Sequence, residues 1–143
     1  MKKSLIFSFG LFFLLSCKKK DAPAPTCNRD VAGISGTYKI TAIRYKATPT
    51  ATEVDYYAFL LPNPCDKDDL YAFNSNGTYV INDAGIICVP SNSYNSTWSL
   101  SGNIITIDGD PGNIDNFSCS TLTVSASDAL VTGDKLIVVF TRQ

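Results

Sequence analysis

The residues able to do chemistry in this chain are few in kind. Five cysteines, Cys17, Cys27, Cys65, Cys88 and Cys119, offer thioether or disulfide chemistry. Aspartates gather at Asp66, Asp68 and Asp69, whose oxygens are of the type that holds calcium. A second acidic stretch, Asp108 to Asp115, lacks the glycine and distal glutamate that a calcium loop places at fixed offsets. Polar clusters of this kind commonly cap turns without an ion, so no metal is assigned. There is no histidine, which removes the usual base for a serine nucleophile and the usual partner of a zinc-binding cysteine pair. No carboxylate pair sits in a glycosidase-like setting. No catalytic residue and no cofactor is assigned, and enzyme activity is not expected. The remaining candidates are aromatic. Tyr38, Tyr71, Phe73, Tyr79 and Trp98, with Phe140, either line a cavity for an apolar ligand or fill a core.

Cys17 differs from the other cysteines in its surroundings. Lys2 and Lys3 precede an apolar run over 5–15, too short to span a bilayer but the right length for a signal peptide. Leu14-Leu15-Ser16-Cys17 resembles the lipobox of bacterial lipoproteins. The resemblance implies cleavage before Cys17, a diacylglycerol on its sulfur and acylation of the new amino group. Each buried methylene of such chains contributes about 0.8 kcal/mol to anchoring. Residues 1–16 are then the signal peptide, and 17–32 a lipidated cysteine with an extended, proline-bearing tether. The domain occupies 33–143. Lys18, rather than an aspartate, after the lipidated cysteine points to outer-membrane sorting, with the domain facing the periplasm or the cell surface.

From Asp30 onward there are six basic residues against twelve acidic ones. So acidic a domain argues against nucleic-acid binding. The four cysteines left after lipidation read as two disulfides in an exported domain, with three pairings open. Cys65–Cys88 is favoured because it brackets an aromatic hairpin, and Cys27–Cys119 then staples the tether's end to a late strand.

The elements that position these residues are short and β-rich. Residues 36–45 read as a strand whose apolar phase shifts between Ile40 and Ile43, which predicts a bulge. Thr52-Glu53-Val54-Asp55 has the form of a capping box. Val54, Tyr57, Ala58 and Leu61 follow at helical spacing, predicting a short helix over 53–61 that plugs one end of the fold. Strands over 70–73 and 78–81 meet across Asn76-Gly77. A short strand is predicted at 86–88, and 97–100 pairs with 104–107. Residues 108–116 read as a loop, 121–126 alternate as a half-buried strand, and 135–141 are apolar on both faces. The fold class is therefore all-β. About eight antiparallel strands are expected to close into an up-and-down barrel with one short helix, removing every exposed edge.

Gly36-Thr37-Tyr38, then Cys65-x-x-Asp68-Asp69-x-Tyr71-x-Phe73-x-x-x-Gly77-Thr78-Tyr79, resemble the lipocalin-like domain of Bacteroidetes lipoproteins. Cys88, the run Thr97 to Asn103 and the end of the chain to Thr141 fit the same pattern. The resemblance implies a small lipocalin-type barrel, the Cys65–Cys88 disulfide and no assigned activity. One departure is Tyr38 where many lipocalins carry tryptophan. Two functions follow as expectations. The first is a monomeric, lipid-anchored binding protein that takes a small hydrophobic ligand into an aromatic cup at the envelope. The second is a solid-core module that contacts a protein or glycan partner through acidic loops.

Overall fold

In the computed structural model, which describes residues 27–143, the β-branched and aromatic runs become strands. A single helical turn, α1 (Val31–Ile34), comes first, capped by Asp30, whose carboxylate accepts the Gly33 N–H at 2.7 Å. Then follow β1 (Gly36–Lys46), β2 (Val54–Asp55), α2 (Tyr57–Leu60) and a 3₁₀ turn (Pro64–Asp66). The rest is strand: β3 (Leu70–Phe73), β4 (Thr78–Asn82), β5 (Tyr94–Ser101), β6 (Ile104–Ile107), β7 (Asp110–Phe117), β8 (Thr121–Ser127) and β9 (Lys135–Arg142). Alternation sets the inward face, as with Tyr71 and Phe73 on β3 and Leu122 and Val124 on β8.

The expected eight-stranded, edge-free barrel requires correction. The chain forms one nine-stranded antiparallel sheet in the order β2-β1-β3-β4-β5-β6-β7-β8-β9, and it is not a regular closed barrel. Strand β1 also pairs with β9, with a register shift between Ile40 and Ala42 where the sequence pattern places its bulge. On its other side, however, β1 meets β3 only at Gly36, Thr37 and Tyr38, and meets β2 only at Arg44 and Tyr45. The cause is unequal length. Strand β1 has eleven residues and β3 has four, because Pro62, Pro64 and the 3₁₀ turn occupy the chain just before β3. Between those two pairings the ladder is interrupted, and β2 is an edge. The Tyr57 hydroxyl donates to the Ile40 carbonyl at 3.2 Å and the Tyr56 N–H to the Ile43 carbonyl at 2.9 Å, satisfying acceptors along this gap.

Four local expectations change as well. The helix predicted over 53–61 shortens to α2, because Val54 and Asp55 pair with β1 instead; Asp55 then accepts the Tyr57 N–H at 2.9 Å. With α1 there are two single-turn helices among the described residues, not one. The strand expected at 86–88 is absent from the sheet, since side-chain carboxylates take its amides. Of residues 108–116, read as a loop, 110–116 belong to β7 (Asp110–Phe117).

Strand direction places the connections at two ends. One end carries α1, the 74–77 and 118–120 turns and the disulfide Cys27–Cys119, with Cα atoms 5.2 Å apart. The other carries the 47–53 segment, α2, 61–69, 83–93, Asp108-Gly109 and 128–134. This second end is called the loop end below. Between the ends the core centres on Phe73, 1% exposed, whose ring lies 5.1–5.7 Å from those of Tyr38, Tyr79, Trp98 and Phe140. Tyr56, Tyr57, Leu60 and Leu61 pack on this core from the loop end.

Candidate functional site

Tyr38, Tyr71, Phe73, Tyr79 and Trp98 are brought together, and every one is buried. Their rings touch each other in edge-to-face, stacked and tilted pairs, arrangements that fill space with favourable quadrupole contacts. Two polar tips are tied to backbone. The Tyr38 hydroxyl donates to the Ile34 carbonyl at 2.7 Å, and the Trp98 indole N–H to the Asn74 carbonyl at 2.8 Å. Arg142 donates to the Tyr38 oxygen at 2.6 Å, with its guanidinium carbon 5.0 Å from the ring centre. Burial pushes the Tyr38 hydroxyl up despite that cation. Burial, then the Asp69 charge, pushes Tyr71 up to about 12, and Tyr79 is raised chiefly by burial too. Two surface hollows of about 440 Å³ each lie elsewhere. One is bordered by Cys27, Gly33, Cys119 and Arg142, the other by Thr41, Arg44, Val54 and Tyr57 along the gap beside β1. None of the five aromatics lines either.

The loop end is built differently. Three carboxylates from 66–69 face the 83–92 segment and, together with Asp83 within it, accept its hydrogen bonds. Asp68 accepts the Ile86 N–H at 2.8 Å; Asp83 accepts the N–H groups of Cys88 and Asn92, each at 3.1 Å. Asp66 accepts the Asn92 side-chain amide at 2.6 Å, and Asp69 the Ala84 N–H. Gly85, at φ 62, lies so close to the Asp68 carboxylate that a β-carbon there would collide with it. The Cys65–Cys88 disulfide, with Cα atoms 5.3 Å apart, fastens the same two segments covalently. Because carboxylates occupy its inner side, the segment turns its apolar side chains outward: Ile86 and Ile87 are each 59% exposed and Val89 97%.

Asp134, itself 2% exposed, does the same for the 128–134 loop, accepting the N–H groups of Ala129, Leu130 and Val131 at 2.7–3.0 Å. Leu130 and Val131 face solvent there. Tyr45 stacks on Tyr56 at 4.7 Å, and Tyr56 meets the exposed Phe59 at a tilt, with ring centres 4.6 Å apart. The titration of these acids follows their partners. Burial opposes ionisation of Asp134, yet three amides and the Tyr45 hydroxyl hold it below the ordinary aspartate value. The Asn63 amide lowers Asp66, and the Ser91 hydroxyl with two amides lowers Asp83. Asp69 goes the other way: burial raises it, reinforced by the charges of Asp83 and Asp68.

Cys65, Asp66 and Cys88 bring ligand atoms within 4.8 Å of one another. Both sulfurs are in the disulfide, so neither is a thiolate able to bind zinc. Sequence reasoning placed these aspartates together but missed the exposed apolar tips beside them. The signal was present in Gly85, a breaker ahead of the isoleucines.

Comparison with known families adds one finding. Residues 34–127 match the lipocalin-like domain. The chain belongs to the lipocalin-like domain family. The match runs from the last residue of α1 to the end of β8. Lipocalin-like domains are generally binding rather than catalytic domains, in agreement with the expectation of no enzyme activity. No curated protein matches the chain. The expected signal peptide and lipobox, and the expected tether as far as residue 26, lie outside the described residues. Among the described residues no helix is long and apolar enough to cross a membrane.

Proposed function

We propose that this lipocalin-like chain is a solid-core interaction module. It is held at the outer membrane by lipid on Cys17, and it contacts a macromolecular partner through the loop end. The observation that carries this is the packing around Phe73: four aromatic rings close on it in the interior, where a ligand cup would need space. Residues 17–32 act as the tether and 33–143 as the module. The Cys27–Cys119 disulfide fixes the tether's exit at the α1 end, so the loop end points away from the anchored side.

The competing cup is tested with fatty acids and native mass spectrometry. The chain carries a single tryptophan, Trp98, in contact with Phe73. A bound apolar ligand in the interior must touch this cluster and change its fluorescence. The solid-core module predicts no saturable change across a panel of chain lengths and no co-purifying small molecule. Saturable quenching with a matching mass increment overturns it.

A further inference from the structure

We infer that the loop end docks a protein whose contact face is apolar at its centre and rich in lysine or arginine at its rim. The inference rests on the interaction-module reading and specifies its partner. Eight large apolar side chains that are exposed lie at this end: Val54, Phe59, Ile86, Ile87, Val89, Tyr94, Leu130 and Val131. At the α1 end the exposed large apolars among the described residues are Val31 and Ile104. Single exposed apolars need no explanation, but their collection at one end of a sheet does. The tips are also held in place. The disulfide and the carboxylates of Asp66, Asp68 and Asp83 fix the 83–92 segment, and Asp134 fixes the 128–134 loop. A surface ordered before binding loses less entropy when it docks.

Charge selects the occupant. Glu53, Asp55, Asp66, Asp68, Asp69, Asp83, Asp108, Asp110, Asp128 and Asp134 all belong to this end. Against these ten acids stand four cations, Arg44, Lys46, Lys67 and Lys135, and Arg44 is already paired with Glu53 at 3.0 Å. A second copy docking by the same end would set acid against acid. An anionic bilayer is repelled for the same reason. Six of the eight tips are aliphatic and offer a sugar neither a stacking face nor a hydrogen bond, and only Phe59 and Tyr94 carry rings. A basic-rimmed apolar protein face answers both features, with the rim charges steering approach and the tips supplying buried area.

The test uses the full chain with its leader, as made in cells, in two arms. In the first, p-benzoylphenylalanine replaces Val89 or, on the side of the sheet, Lys39, and intact cells are irradiated. In the second, the purified chain is titrated with an amphipathic leucine–lysine peptide, its leucine–glutamate counterpart and phosphatidylglycerol vesicles. The expected result is a protein adduct from position 89 but not 39. It is joined by saturable binding of the leucine–lysine peptide that weakens about tenfold in 0.5 M salt and about tenfold in Ile87→Ser/Val89→Ser. Those side chains are exposed, so the variant should keep the wild-type thermal transition. Equal binding of the acidic peptide or the vesicles, or unchanged affinity in the variant, overturns the inference. An adduct from 39 alone also overturns it while leaving an interaction module standing. No adduct from either position, with no peptide bound, overturns both.

Discussion

Truncating Phe73 to alanine separates a filled interior from an open cup. Its ring is 1% exposed and has four aromatic neighbours with centroids 5.1–5.7 Å away. Removing it forfeits the transfer of a buried phenylalanine, about 2 kcal/mol. If a void on the order of 100 Å³ persists, its cost at about 24 cal/mol per Å³ is a further ~2.4 kcal/mol. The sum, about 4 kcal/mol, falls within the range of roughly 3–5 kcal/mol for phenylalanine-to-alanine changes in cores. Were Phe73 instead to line an existing cavity, the void would already be present and part of the ring already solvated. The loss would then be about 1 kcal/mol, half of the transfer value. Urea unfolding followed by circular dichroism measures the difference without relying on Trp98, which Phe73 touches. Leu130→Ala, at an exposed tip, serves as the control and should stay within about 0.5 kcal/mol of the parent. A Phe73→Ala loss below about 1.5 kcal/mol refutes the close-packed interior.

Replacing Cys65 and Cys88 together by alanine opens a loop of sequence separation 23, and chain entropy sets the loss of stability at about 3.4 kcal/mol. Hydrogen exchange should show faster amides at Ile86 and Cys88 in that variant, before the strands open. Asp134→Asn should destabilise the chain at neutral pH and lengthen the three loop hydrogen bonds. Because the folded carboxyl titrates below its unfolded value, its stabilisation is present above the unfolded value. It is lost as pH falls through the folded one, so parent and variant should converge in acid melts. Asp69 has the opposite sign: its folded value is raised, so ionisation destabilises the fold as pH rises through that value. Asp69→Asn should therefore gain stability relative to the parent between mild acid and neutrality, read from the same melts. Cys17→Ala should move the protein from the membrane to the soluble fraction on cell fractionation, and unchanged sedimentation with membranes argues against the lipid anchor.

Much of the sheet is legible because local chemistry and tertiary pairing agree. The hairpin of β3 and β4 turns where Asn76-Gly77 allows it, and the bulge in β1 lies where the apolar phase slips. Where they disagree, the sequence misleads. Ile86-Ile87-Cys88 has strand composition, yet Asp68 and Asp83 reach its amides first and the run never enters a ladder. Asp108-Gly109 reads as part of a loop, yet both residues adopt positive φ, 55° and 89°, and join β6 to β7 as a two-residue hairpin turn. Pro111 and Gly112, poor strand formers directly after it, hid the strand. The interrupted ladder beside β1 depends on the difference in length between β1 and β3, which residue periodicity does not encode. For the site, the inward direction of Tyr71, Phe73, Tyr79 and Trp98 is readable from alternation. Whether the rings meet or leave a gap is decided by ring spacing across strands far apart in sequence.

The same residues explain why the loop end is both acidic and apolar. A surface loop must satisfy its backbone amides, and water usually does so. Here Asp66, Asp68, Asp69, Asp83 and Asp134 take that role from the protein side, at sites that are partly or wholly buried. Filling the inner side of each loop with carboxylates leaves no room there for the apolar side chains, which are displaced to the outer face. In the 128–134 loop one carboxylate holds three successive amides and leaves Leu130 and Val131 in solvent. In the 83–92 segment several carboxylates and a disulfide do so for Ile86, Ile87 and Val89. Exposed aliphatic tips on a floppy loop would collapse onto the nearest apolar surface. Fixed amides prevent that collapse, and so the apolar tips stand available to a partner whose charge complements the acids that hold them.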